Sequence, residues 1–93
     1  VQYHIVRSRD AGVFFGVIRS RKDSTVSMTD VRRLWYWRGA ASLSQMANEG
    51  VKFPDECKFG VAVASIEVLG VCEILEATNA AAVNILAVPE WRV

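Results

Sequence analysis

The sequence predicts a single α+β domain: a small curved antiparallel sheet, or partly open barrel, of about five strands with two short helices. Three observations lead there. Short runs of β-branched and aromatic residues alternate with polar turns, as strands of an antiparallel sheet do. Gly16 interrupts one of these runs at a point where a tightly curved sheet needs a bulge, a bend or a close backbone approach. Ser42 followed three residues later by Gln45 is a capping-box pattern, which starts a helix between the strand-like segments.

The elements follow in order. Tyr3–Arg7 alternates, with Tyr3 and Ile5 on one face, and Arg9-Asp10-Ala11-Gly12 supplies a turn. The return strand, Val13–Arg19, is apolar on both faces, so it is expected to be central or covered on both sides. A second polar turn at Arg21–Ser24 leads into Thr25–Thr29, where Val26 and Met28 share a face. Beyond Asp30, Val31–Trp37 is again strand-like and breaks at Arg38-Gly39. The helix is predicted over 42–49, with Gly50 at its stop. Pro54 excludes a central strand from the loop at 52–56. Phe59–Ala64 and Ile66–Leu75 read as two strands, or one long strand hinged near Ser65. Thr78 caps a last short helix over 79–87, ended by Pro89.

A chain of 93 residues sits near the size of one domain, so 1–93 is read as a single unit. Its hydrophobic share of 52% is too high for a disordered chain and is more than so small a core requires, which points to a buried interface between copies of itself. A formal net charge of +1 argues against a partner that is a nucleic-acid polymer, since phosphate neutralisation needs a clear basic excess. The charge is uneven along the chain. Arg7, Arg9, Arg19, Arg21, Lys22, Arg32, Arg33 and Arg38 precede the first helix against Asp10, Asp23 and Asp30, and most carboxylates follow it. No apolar run reaches the roughly 18–20 residues of a membrane span, and the first residues lack the basic-then-apolar pattern of a secretion leader. Cys57 and Cys72 do not form a disulfide framework and read as small apolar residues of a reducing compartment.

The segment Arg32-Arg33-Leu34-Trp35-Tyr36-Trp37-Arg38 is the main candidate for chemistry. On an extended strand Arg33, Trp35 and Trp37 point one way and Arg32, Leu34, Tyr36 and Arg38 the other. Trp35 or Tyr36 can stack on a nucleobase while Arg32, Arg33 or Arg38 holds a phosphate. The competing reading is that the tryptophans fill the core or a subunit interface and the arginines reach past them to water. His4, the single histidine, has no serine or carboxylate in a nucleophile pattern, and Glu67, Glu73 and Glu76 read as solvated strand positions. Neither phosphate-binding glycine motifs nor metalloprotease or nucleophile-elbow patterns occur, and Cys57, Cys72 and His4 do not make a zinc set. No metal and no cofactor are expected.

Val6–Phe14, the run from Arg32 to Leu43 with its Arg-Arg-Leu-Trp-Tyr-Trp-Arg-Gly-Ala-Ala-Ser-Leu motif, Cys57-Lys58-Phe59 and the Val88–Trp91 ending together resemble a family of small proteins of tailed bacteriophages and prophages. The likeness covers nearly the whole chain and implies a phage accessory protein acting in the host cytoplasm, or a minor part of the virion. It transfers no catalytic residue. The resulting expectation is a non-enzymatic homo-oligomer that sequesters a small nucleotide-like anion, or inhibits a host defence protein, through Arg32, Arg33, Trp35, Tyr36 and Arg38. A virion structural or assembly protein is the second expectation and a small nucleotide-acting enzyme the third.

Overall fold

A computed structural model of the chain describes residues 1–93. The order of elements is β1 (Tyr3–Ser8), β2 (Gly12–Lys22), β3 (Thr25–Tyr36), α1 (Leu43–Glu49), a single 3-10 turn at Pro54–Glu56, β4 (Lys58–Phe59), β5 (Val63–Val68), β6 (Val71–Glu76) and α2 (Asn79–Leu86). The α+β expectation holds, with six antiparallel strands rather than about five because the two-residue β4 is a strand of its own.

The sheet runs β4-β3-β2-β1-β6, and β5 also pairs with β3. Its strands form a meander whose two ends, β5 and β6, are joined by Leu69-Gly70, yet β5 hydrogen-bonds to β3 and β6 to β1. The sheet therefore curls until its edges meet at that turn, and it stays open because β5 and β6 do not pair. The bend lies at Leu69-Gly70, where Gly70 has a positive φ, and not at Ser65, which sits within β5 opposite Thr29.

Two local features give the long strands their curvature. The β2–β3 register shifts between Phe15 and Val17, where a Cβ on Gly16 would lie 3.0 Å from the Thr29 carbonyl oxygen. Opposite it Asp30 has φ 51°, so one extra residue is taken up in β3 and the alternation changes phase. Val26 and Met28 lie in the same buried cluster as Val31, an odd-numbered position.

The sheet has two apolar faces with different covers. Inside the curl, Val6, Phe14, Val26, Met28, Val31 and Val68 form one buried cluster drawn from β1, β2, β3 and β5. On the other face Ile5, Phe15, Leu34 and Phe59 pack with Met46, Ala47, Ala82 and Ile85 of the two helices. β2 is thus covered on both sides, as its unbroken apolar run requires, and Tyr3 stacks on Phe15 at 5.0 Å.

The helices start where their caps place them. Ser42 Oγ accepts the Gln45 N–H, while Gln45 Oε1 reaches back to the Ala41 N–H, a capping box displaced by one residue. Thr78 Oγ1 accepts the Ala81 N–H and donates to the Asn48 carbonyl, tying α2 to the end of α1. Asn84 completes the tie by pairing both its amide atoms with the Val51 backbone. Cys57 is buried as expected, whereas Cys72 is exposed.

Candidate ligand-binding surface

The five candidate residues of β3 and its exit separate into three places. Arg32 points to the helix-covered face and is 4% exposed. A guanidinium has five N–H donors, and each finds a backbone carbonyl: Nε donates to Gly60, Nη1 to Ile85 and Val88, and Nη2 to Phe59 and Pro89. Burial pulls its pKa down and the charge of Glu90 acts the other way. The group stays a cation and complements the partial negative charge of the carbonyls at the carboxyl end of α2. With its donors used and no exposed surface, Arg32 is a structural clamp and drops out of the binding set.

Arg33 and Trp35 point to the opposite face, on the side of the curl. The Arg33 guanidinium lies between two rings, 4.8 Å from the Phe14 centroid and 5.2 Å from that of Trp35. Its Nε is buried and has no hydrogen-bond partner. The ion pairs of the molecule are Arg7–Glu73, Arg38–Glu56 and Arg92–Glu90, so no carboxylate neutralises Arg33. Trp35 is 58% exposed.

Tyr36 is exposed at the end of β3, opposite Lys58, where the β3–β4 register shifts after Leu34. That shift ends the simple alternation, and Trp37 turns onto the helix-covered core instead of following Arg33 and Trp35. Arg38 is exposed, paired with Glu56 and set over the Phe53 ring at 5.7 Å. Neither Tyr36 nor Arg38 lines the groove beside Arg33 and Trp35.

That groove has a volume of about 240 Å³ and is formed by Val31, Arg33 and Trp35 of β3 with Gly60, Val61, Val63 and Ile66. Along β3, Val26 pairs with Val68 beside the Leu69-Gly70 turn and Val31 with Val63, so Arg33 and Trp35 lie past the start of β5, at the mouth of the curl. Two further residues join the surface from far along the chain. The segment after α2 runs parallel to β4, with a Phe59–Glu90 bridge and a Trp91 N–H to Phe59 carbonyl bond. Trp91 thereby meets Trp35 edge to face at 6.3 Å, and Lys58 sits 5.3 Å from its centroid. The Arg32 clamp helps to hold this arrangement, because Phe59, Gly60, Val88 and Pro89 are among its acceptors.

The result is a row of rings and cations, Phe14, Arg33, Trp35, Trp91 and Lys58, in which both tryptophans are exposed. Such a row can stack on a flat conjugated ring and place positive charge beside an attached anion. Lys58 and Trp91 lie outside the aromatic strand, and no local pattern in the sequence marks either of them as a site residue.

A family model described as a domain of unknown function (DUF6948) matches residues 1–85. The chain belongs to this family. The matched part contains Arg32, Arg33, Trp35 and Lys58, while Trp91 lies beyond it. No curated protein and no solved structure matches the chain.

Other polar groups are apart from this surface. His4 stands on β1 between Gly16 and Glu76, with its Nδ1 buried and unpaired, and β2 separates that strand from β3. No group of three His, Cys, Asp or Glu side chains comes together in a metal-holding arrangement. None of the helices is long and apolar enough to cross a membrane.

Proposed function

We propose that the protein is a non-enzymatic binding protein that captures a small anionic, nucleotide-like ligand on the Arg33–Trp35 surface. The base stacks on Trp35, Arg33 and Lys58 face the phosphate, and Trp91 borders the stacked ring. The observation behind this reading is the state of Arg33: a guanidinium held between two rings, with no carboxylate partner and an unpaired buried Nε. An anion can accept from the terminal guanidinium nitrogens of Arg33, which donate to no protein group and belong to no ion pair. In the phage or prophage setting that the sequence resembles, such a protein acts as a homo-oligomeric sink for a nucleotide signal of host defence.

Titration with a panel of mononucleotides and cyclic nucleotides, followed by tryptophan fluorescence and melting temperature, tests the proposal. Trp35 and Trp91 are expected to quench on binding and the melting temperature to rise with ligand concentration. No response to any member of the panel rejects it. The exposed Val61 and Val63 beside the two tryptophans favour a second reading, in which the same surface contacts a protein as part of a phage particle or a host target. Recovery of the protein in purified virions supports that reading over the first.

A further inference from the structure

Two strands joined by two residues ordinarily pair with each other as a hairpin. β5 and β6 are joined by Leu69-Gly70 and instead pair outward, with β3 and β1, so each presents a free edge of backbone donors and acceptors. The two edges differ in charge. β6 carries Glu73 and Glu76, and charged side chains of this kind blunt an edge against pairing. β5 reads Val63-Ala64-Ser65-Ile66-Glu67-Val68, without proline, lysine or arginine, and Val63, Ala64 and Ser65 are exposed on it.

We propose that β5 is the interface through which two copies of this chain pair, antiparallel about a two-fold axis through Ser65. The edge is complementary to itself. Antiparallel pairing lets each strand satisfy the other's N–H and carbonyl groups. A two-fold at Ser65 sets Glu67 against the partner's Val63, so the single charge of the edge does not meet its own copy. Pairing of β5 with β6 of a second copy would instead bring Glu67 to an edge carrying the unpaired Glu76 beside the Arg7-bound Glu73, which disfavours an open chain of subunits. The pairing also acts on the groove. Val63 and Ile66 form its β5 side, so a strand added there extends the sheet past the groove and brings two Arg33–Trp35 surfaces onto one continuous assembly. The interface itself does not depend on which ligand the surface takes.

Light scattering or sedimentation of the ligand-free chain is expected to give twice the chain mass. Ser65→Lys places two ammonium groups at the axis and Ser65→Glu two carboxylates, so each variant alone is expected to be a monomer with the circular dichroism of the parent. An equimolar mixture of the two restores the dimer, an outcome that a folding defect cannot produce. Cys72→Lys, on β6, leaves the dimer intact. A monomeric parent chain at every concentration, a dimer that survives Ser65→Lys, or an assembly larger than two overturns the proposal. Nucleotide titration of the monomeric variants separates this outcome from failure of the ligand reading, because the parent binds or does not bind whatever its mass.

Discussion

Arg32 and Arg33 are neighbours in the chain with the same side chain, and they do opposite things. Arg32 enters the helix-covered face, where five carbonyls take its five donors and weld the end of α2 to β4. Arg33 turns toward the helix-free side of the sheet, at the mouth of the curl, where it touches rings and finds no acceptor for its Nε. The alternation of a strand places one residue in each environment. A cation surrounded by carbonyls stabilises the fold, and a cation held between rings with no carboxylate partner is the group that the proposed ligand would meet. The same division applies to the whole molecule, since both helices lie on the Arg32 face.

Removing the clamp is the most severe way to disturb this division. Arg32→Met strips the donors from carbonyls at the junction of α2 and β4 and is expected to cost about 3 kcal/mol in urea unfolding. Arg32→Lys recovers only part of this, because an ammonium has three donors and no planar fork. Next comes Gly50, whose φ of 78° and proximity to Asn84 leave no room for a side chain: an added Cβ would run into the Asn84 side-chain amide. Gly50→Ala displaces the Asn84 clamp on Val51 and should lower stability by about 2 kcal/mol, read from the denaturation midpoint. Ser42→Ala removes one cap from α1 for about 1 kcal/mol, with loss of Gln45 amide protection in hydrogen exchange as its local signature. Gly50→Ala and Ser42→Ala lie away from the groove and should leave ligand contacts on the Arg33 surface in place while the chain remains folded, whereas the Arg32 substitutions also loosen the segments that carry Lys58 and Trp91.

Much of the architecture is legible in the residues themselves. The turn at Arg9–Ala11, the caps Ser42 and Thr78, and the alternation that separates Arg32 from Arg33 are local properties, and local chemistry determines them. Three features are not local. β4 is two residues long and exists because β3 and the tail lie on either side of it, so it has no run of its own to read. The phase change at Asp30 depends on the close approach of Gly16 across the sheet, for which Gly16 was the one visible sign. The buried side of the aromatic strand cannot be told from its period, because Leu34 and Arg32 are as consistent with either face as Trp35 and Arg33. Periodicity alone groups Tyr36 and Arg38 with Arg32, and the register shift after Leu34 separates them. Trp91 joins the candidate surface through a backbone bridge to Phe59, a contact between residues far apart in sequence.

The central claim is that one strand divides fold and binding between its two faces, and the paired variants Arg32→Met and Arg33→Met test it most directly. Urea unfolding and nucleotide titration are run on both beside the parent. Arg33→Met is expected to unfold within about 0.5 kcal/mol of the parent and to lose the nucleotide response. Arg32→Met is expected to lose stability and, under conditions where it is folded, to bind more weakly than the parent but detectably, because the Arg32 acceptors Phe59, Gly60 and Pro89 position Lys58 and Trp91. A large loss of stability in Arg33→Met, or undiminished nucleotide binding by it, would contradict the account.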